Sequence, residues 1–162
     1  MMSRTLAAVA REVKGRLIGA DQAFGLVTTD TRSLTPGALF VAIAGDRFDG
    51  HDYVPQAIGR GAAAALVSRR VGSEREIPQI LVKDTRAALG LLGAAWRARF
   101  SLPVLALTGS NGKTTVKEML AAILREAFGA DHVLATEGNL NNAIGLPLTL
   151  LRLRREHRAA VI

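Results

Sequence analysis

Residues 104–116, Val-Leu-Ala-Leu-Thr-Gly-Ser-Asn-Gly-Lys-Thr-Thr-Val, constrain this chain more than any other stretch. An apolar run leads into a turn bracketed by Gly109 and Gly112, and Lys113, Thr114 and Thr115 open a helical pattern. That order predicts a buried strand, then a loop whose backbone N–H groups can close around phosphate oxygens, then a helix whose positive N-terminal end adds to the attraction. Lys113 would place a point charge among the outer phosphates, and the Thr114 hydroxyl is the expected Mg2+ ligand. The common form of such a loop has a further glycine, which would fall at position 107, where this chain has Leu107. What remains, Gly109-x-x-Gly112-Lys113-Thr114 between strand and helix, keeps the context that a phosphate loop requires. A turn whose glycines only relieve backbone strain would not call for Lys-Thr-Thr at the helix start.

The 162 residues are 49% hydrophobic, ample for one domain or two small ones. With no cysteine, disulfides, thiolate metal sites and a thiol nucleophile are excluded. The N-terminal stretch is interrupted by Arg4, Arg11, Glu12 and Lys14, and no apolar run is long enough to span a bilayer. A cytoplasmic location with no membrane insertion is the expectation. The net charge of +7 favours an anionic partner. Its arginines are scattered, lysine occurs only at 14, 83, 113 and 117, and no aromatic residue interleaves with a basic run, so a nucleotide is expected rather than nucleic acid.

Along the chain, Leu6, Val9, Ala10 and Val13 recur at helical spacing behind Ser3 or Thr5 as N-cap, and Gly15 stops the pattern. Strands are expected at 16–18, 26–29, 39–43, 64–68 and 79–82, with a short helix at 54–60. Asp84 can cap a helix over 85–99 whose Leu89, Leu92, Gly93 and Trp96 form a packing face. Ser101-Leu102-Pro103 breaks it, and a domain boundary is placed there, giving domains at 1–100 and 101–162. The second begins with the phosphate loop and a helix over 113–128, for which Met119, Ala122, Ile123 and Ala127 are the expected packing face. A strand at 133–136, a polar loop, a helix through Pro147 to Leu153 and a strand beginning at Ala159 follow. A parallel sheet with so few strands leaves apolar surface uncovered, so the second domain reads as truncated. The fold class is α/β. His132 and His157 have no metal-ligand spacing, and His51 reads as a hydrogen-bonding loop residue.

Residues 109–115, Thr136-Glu137-Gly138-Asn139-Leu140-Asn141-Asn142 and Ile144-Gly145-Leu146-Pro147-Leu148-Thr149-Leu150 closely resemble the Mur ligases of bacterial peptidoglycan synthesis. The first domain agrees, through Asp30-Thr31-Arg32-Ser33, Pro36-Gly37-Ala38-Leu39-Phe40 and Gly45-Asp46-Arg47-Phe48-Asp49-Gly50-His51. The family's phosphate loop has the short form found here. The resemblance implies a small N-terminal UDP-sugar domain followed by the start of a central ATPase domain. It implies an ATP-dependent amide ligase that joins D-alanyl-D-alanine to UDP-N-acetylmuramoyl-tripeptide through an acyl phosphate. The alternatives are a ligase of the branch that adds the third amino acid, or a non-catalytic nucleotide-binding regulatory module. On this reading Gly109, Ser110, Asn111, Gly112, Lys113, Thr114 and Thr115 hold ATP, with Lys113 and Thr114 catalytic and Thr114 on Mg2+. Thr31, Arg32, Arg47 and Asp49 are candidates for the UDP-sugar, and Thr136 and Asn139 for substrate in the crevice beyond the strand ends. A turn-forming cluster is an equal reading of Asn139, Asn141 and Asn142. The chain is expected to be a monomeric N-terminal fragment that does not catalyse ligation by itself.

Overall fold

The computed structural model describes residues 4–45, 48–72, 77–138 and 140–162. The chain forms two compact units, Met1–Leu92 and Gly93–Ile162, and the division falls inside a helix.

The first unit opens with β1 (Arg4–Thr5) and α1 (Leu6–Glu12), and the Thr5 hydroxyl accepts the Ala8 N–H to cap α1. Leu6, Val9, Ala10 and Val13 are buried, as their helical spacing predicts. Next come β2 (Arg16–Ile18), β3 (Ala23–Phe24), β4 (Val27–Thr28), β5 (Leu39–Val41), α2 (Val54–Gly59), β6 (Ala64–Val67) and β7 (Gln79–Leu81). Five of these strands make a sheet in the order β2-β7-β6-β5-β4, in which β4 to β7 are mutually parallel and β2 is antiparallel to β7. The antiparallel pair of β1 with β3 has strands of two residues, too short to carry a periodic signal.

The central strands β5 and β6 are buried along their whole length, which is why they read as unbroken apolar runs. Phe40, Ala42, Ala65 and Val67 pack in one cluster with Val54 and Ala57 of α2. Leu39, Val41 and Leu66, equally buried, fall on the opposite face by the two-residue alternation of a strand. α3 (Thr85–Arg97) begins where the Asp84 carboxylate accepts the N–H groups of Arg86 and Ala87, and it buries Leu89 and Leu92. It ends two residues before the expected position, where the Arg97 guanidinium donates to the main-chain oxygens of Phe100 and Leu102.

In the second unit β8 (Val104–Leu105), α4 (Lys113–Phe128), β9 (Val133–Ala135), α5 (Gly145–Leu150) and β10 (Ala159–Val161) build a parallel sheet in the order β8-β10-β9. On one face Ala121 of α4 packs with Ala135 and Val161. On the other, Leu134, Leu153 and Ala160 meet Trp96 and Phe100, whose rings stand edge to face at 5.4 Å. The Trp96 indole N–H donates to Leu153 O at 3.1 Å. Pro147 lies in the first turn of α5, against Gly93, where an added Cβ would come within 3.0 Å of it.

The packing face expected of α4 is corrected. Met119 and Ile123 are 60% and 63% exposed, and Ala122 and Ala127 are exposed too. The buried side carries Lys117 and Ala121, with Leu120 and Leu124 partly covered. A lysine in the middle of that stripe disguises it as the solvent face. Ala121→Leu should therefore destabilise the chain by about 1–3 kcal/mol through overpacking, whereas Met119→Gln should stay within about 0.5 kcal/mol, both read from urea midpoints.

Candidate functional site

The phosphate loop stands at the carboxyl end of β8. Gly109 and Gly112 have φ of 141° and 77°, conformations that favour glycine, and an added Cβ at Gly112 would meet nothing within 4 Å. Gly112 is the N-cap of the 16-residue α4, and no side chain caps it. The first-turn N–H groups of α4 are therefore offered to an external anion instead of an internal acceptor. Residues 109–112, Thr114 and Thr115 are exposed, and Lys113 is half-buried with its ammonium on the Gly109 carbonyl. The loop thus brings together Gly109, Ser110, Asn111, Gly112, Lys113, Thr114 and Thr115 in the arrangement that the sequence predicts.

Thr136 follows β9 and is buried, with its N–H donated to Val161 O at 3.0 Å. Asn139 and Arg47 lie outside the described residues. Asn142 caps α5, its side-chain oxygen accepting from Ile144 N at 3.0 Å and Gly145 N at 2.8 Å. A cleft of about 660 Å3 in this unit runs beside β9 rather than over the phosphate loop, between charged groups that include Glu118, Arg125, Glu137 and Arg152.

In the first unit a cleft of about 540 Å3 opens at the carboxyl ends of β4 and β5. Thr29, Thr31, Arg32, Phe48, Tyr53 and Gln56 are among the residues that line it. Phe48 and Tyr53 are 60% and 46% exposed, an unusual display for two aromatic rings on one cleft. The Thr31 hydroxyl donates to Gln56 Oε1 at 2.6 Å, and Arg60 Nη1 donates to the main-chain oxygens of Thr31 at 2.9 Å and Arg32 at 3.1 Å. Gln56 and Arg60, four apart at the end of α2, clamp the turn that carries Thr31 and Arg32. Sequence reasoning passed over both, although i, i+4 polar residues facing a Thr-Arg turn were the available signal. Arg32 forks onto the Asp30 carboxylate, Nε to Oδ1 at 3.0 Å and Nη2 to Oδ2 at 2.7 Å, which lowers the pKa of Asp30 below its usual value.

Asp49 stands outside the lining of this cleft. Its Oδ1 accepts the His51 backbone N–H at 2.9 Å and the His51 ring Nδ1–H at 2.5 Å, and its Oδ2 accepts from Arg69 at 3.0 Å. His51 is buried, and its Nε2 accepts the Ser68 N–H at 2.9 Å with the Ser68 hydroxyl 3.1 Å away. Asp49, His51 and Ser68 have the outline of a charge-relay set. The lone pair of Nε2 is already directed at a backbone N–H, so the ring is a poor base for the hydroxyl, and the three residues tie the loop after β5 to the end of β6. Gly50 completes the tie, since an added Cβ would come within 2.6 Å of Ile43 N. His51 is thus the hydrogen-bonding loop residue that its context predicts.

The His51 backbone N–H, then the His51 ring and Arg69, hold the Asp49 carboxyl far below its ordinary value of 3.8. The folded chain binds a proton there less readily than the unfolded chain, so this stabilisation is complete above the ordinary value and is lost as pH falls below it. Urea titrations at about pH 6 and about pH 3 should show a larger acid loss in the unchanged chain than in Asp49→Asn. Equal losses would remove Asp49 from the tie.

Among the described residues no helix is long and apolar enough to cross a membrane, and no group of three His, Asp or Glu side chains is placed to hold a metal ion. Residues 24–97 match the Mur ligase family, catalytic domain, and residues 107–162 match the Mur ligase middle domain. Across its whole length the chain is 53% identical to the UDP-N-acetylmuramoyl-tripeptide–D-alanyl-D-alanine ligase of Escherichia coli K12, of which it covers 35%. The corresponding ligase of Haemophilus influenzae Rd is 45% identical, again over all of this chain and 36% of the relative. A crystal structure of MurF from Acinetobacter baumannii superposes with a TM-score of 0.91 at 40% identity, over 100% of this chain and 36% of that one. MurF from Thermotoga maritima in complex with ADP gives 0.73 at 35% identity, over 84% of this chain and 31% of that one. The chain therefore spans about a third of the length of these relatives. Both units carry a stretch of one family in sequence order, and the chain belongs to the Mur ligase family.

Proposed function

We propose that this chain supplies the UDP-sugar domain, 1–100, and the beginning of the ATP-binding domain, 101–162, of a cytoplasmic, monomeric enzyme. That enzyme would be an ATP-dependent ligase adding D-alanyl-D-alanine to UDP-N-acetylmuramoyl-tripeptide. The observation that carries the reading is the uncapped N-terminus of α4 with Lys113 in its first turn, behind two left-handed glycines. The named activity of the relatives and the ADP in the Thermotoga complex support the same assignment.

In that reaction the tripeptide's terminal carboxylate attacks the outer phosphorus of ATP, ADP leaves, and the amine of the dipeptide displaces phosphate from the acyl phosphate. A carboxylate is a poor electrophile, and phosphorylation gives it a leaving group. The N–H groups of residues 109–115 and the Lys113 ammonium would bind and orient the phosphates, placing positive charge where negative charge is shared during transfer. The Thr114 hydroxyl, exposed in the first turn, has the chemistry of a Mg2+ ligand. Mg2+ would neutralise charge on the phosphates.

In the first unit Phe48 and Tyr53 offer apolar faces to the uracil ring, Arg32 offers a cation to the diphosphate, and Thr31, whose hydroxyl proton goes to Gln56, has its hydroxyl oxygen as an acceptor toward the ribose. Arg47 adjoins this loop in sequence, while Asp49 serves by holding the loop. Thr136 and Asn139 are assigned to the substrate crevice of the second unit.

Calorimetry with Mg-ADP should give measurable binding to this chain, and Lys113→Ala should weaken it by about 2–3 kcal/mol, the scale of a charge-assisted contact. Equal affinity would remove Lys113 from the site. Tyr53→Ala should weaken UDP binding by about 1 kcal/mol and leave Mg-ADP affinity unchanged. Phosphate release that requires both the muramoyl nucleotide and the dipeptide, in a polypeptide bearing all the domains of the relatives, decides between the ligase and a regulatory module.

A further inference from the structure

Lys117 lies one helical turn beyond Lys113 on α4 and is only 7% exposed. Its ammonium donates to the main-chain oxygen of Thr136 at 2.6 Å and meets Glu118 Oε1 at 2.7 Å. Burying an ammonium is costly unless it is paired, and here one carbonyl and one carboxylate supply the pairing. Packing alone does not call for it, because the neighbours on this face, Leu120, Ala121 and Leu124, are apolar.

The placement of the bond gives it a purpose. Thr136 is where β9 ends and the polar loop starts, and it is held from two sides: its N–H goes to Val161 of β10 and its carbonyl oxygen to Lys117. Gly138, two residues on, has a φ of 53°, so the chain turns away at once. Residues 113 and 117 share one face of a rigid helix. The first of these lysines now rests on the carbonyl of Gly109, within the phosphate loop itself. A phosphate that draws Lys113 from that carbonyl changes the first turn of α4, and the next lysine on the same face is fastened to the start of the neighbouring loop.

We propose that Lys117 is a positioning residue that couples the phosphate loop to the start of the loop after β9, so that a nucleotide bound at residues 109–115 also orders Thr136–Gly138. This rests on the nucleotide reading above. It adds a residue that touches neither nucleotide nor substrate and decides whether two loops at one sheet edge respond together.

Hydrogen exchange on the whole chain, with Mg-ADP as the probe, tests it. In the unchanged chain Mg-ADP should slow exchange both at residues 109–116 and, by about fivefold, at 134–138. In Lys117→Met the slowing at 109–116 should persist while that at 134–138 drops below about twofold. Lys117→Gln, whose amide is too short to reach the Thr136 carbonyl but keeps a polar group at the site, is the second variant should Met not fold, with the same expected result. Lys117→Arg should restore the coupled slowing. A purely structural lysine would speed exchange at 134–138 equally with and without Mg-ADP, leaving the nucleotide-dependent difference intact, and that result overturns the proposal. Slowing at 109–116 without any at 134–138 in the unchanged chain overturns it too, while leaving the nucleotide site standing. Slowing at neither segment brings down both readings.

Discussion

Parallel pairing is the constraint on which both units depend. Strands that run the same way end at the same edge, so the loops that follow them are gathered there whatever their sequence. In the first unit β4, β5 and β6 are parallel neighbours, and their following loops supply the 540 Å3 cleft and the Asp49–His51–Ser68 tie. In the second, β8 and β9 flank β10, and their loops are the phosphate loop and the segment from Thr136. Each candidate site is a property of a sheet edge before it is a property of particular side chains.

Gathering loops is not the same as fixing them, and polar side chains, exposed as well as buried, do the fixing. Arg60 and Gln56 hold the Thr31–Arg32 turn through two carbonyl oxygens and one hydroxyl. His51 spans from Asp49 on one loop to Ser68 on the next, using both ring nitrogens and leaving neither for chemistry. Lys117 does the corresponding work in the second unit. Such groups bond one loop to a neighbouring element, so they stiffen the edge where the ligand-facing groups stand.

Much of this was legible in the sequence, for identifiable reasons. The runs at Leu39–Val41 and Ala64–Val67 are buried on both faces and so read as unbroken apolar strands. The phosphate loop was legible because its glycines and Lys-Thr-Thr have few other uses together. The packing face of α4 was misread because the buried stripe contains Lys117 while Met119 and Ile123 lie outside it. Arg32 was legible as a cation near the first cleft, but its engagement with Asp30 two residues earlier was not, because sequence spacing does not say which way a side chain turns. The clamp from α2 shows in the sequence only as an i, i+4 polar pair, since what Gln56 and Arg60 grip is set by the crossover from β5 to β6 that carries them back to the Thr31 turn.

Among the described residues only β10 of the three-stranded sheet has a neighbour on each side, so β8 and β9 each present one edge. Open edges recruit strands from other molecules, which makes concentration a hazard for a chain of this shape. The groups around β9 oppose this. Arg125, Arg152 and Arg154 line the cleft beside it together with Glu118, Glu137 and Glu156, so an incoming strand must strip water from charges of both signs as it approaches the backbone donors. The β8 edge ends at Leu105 and passes into the exposed loop. Conditions that mask charge, above all high salt, should thus be the ones in which this chain is hardest to keep dispersed.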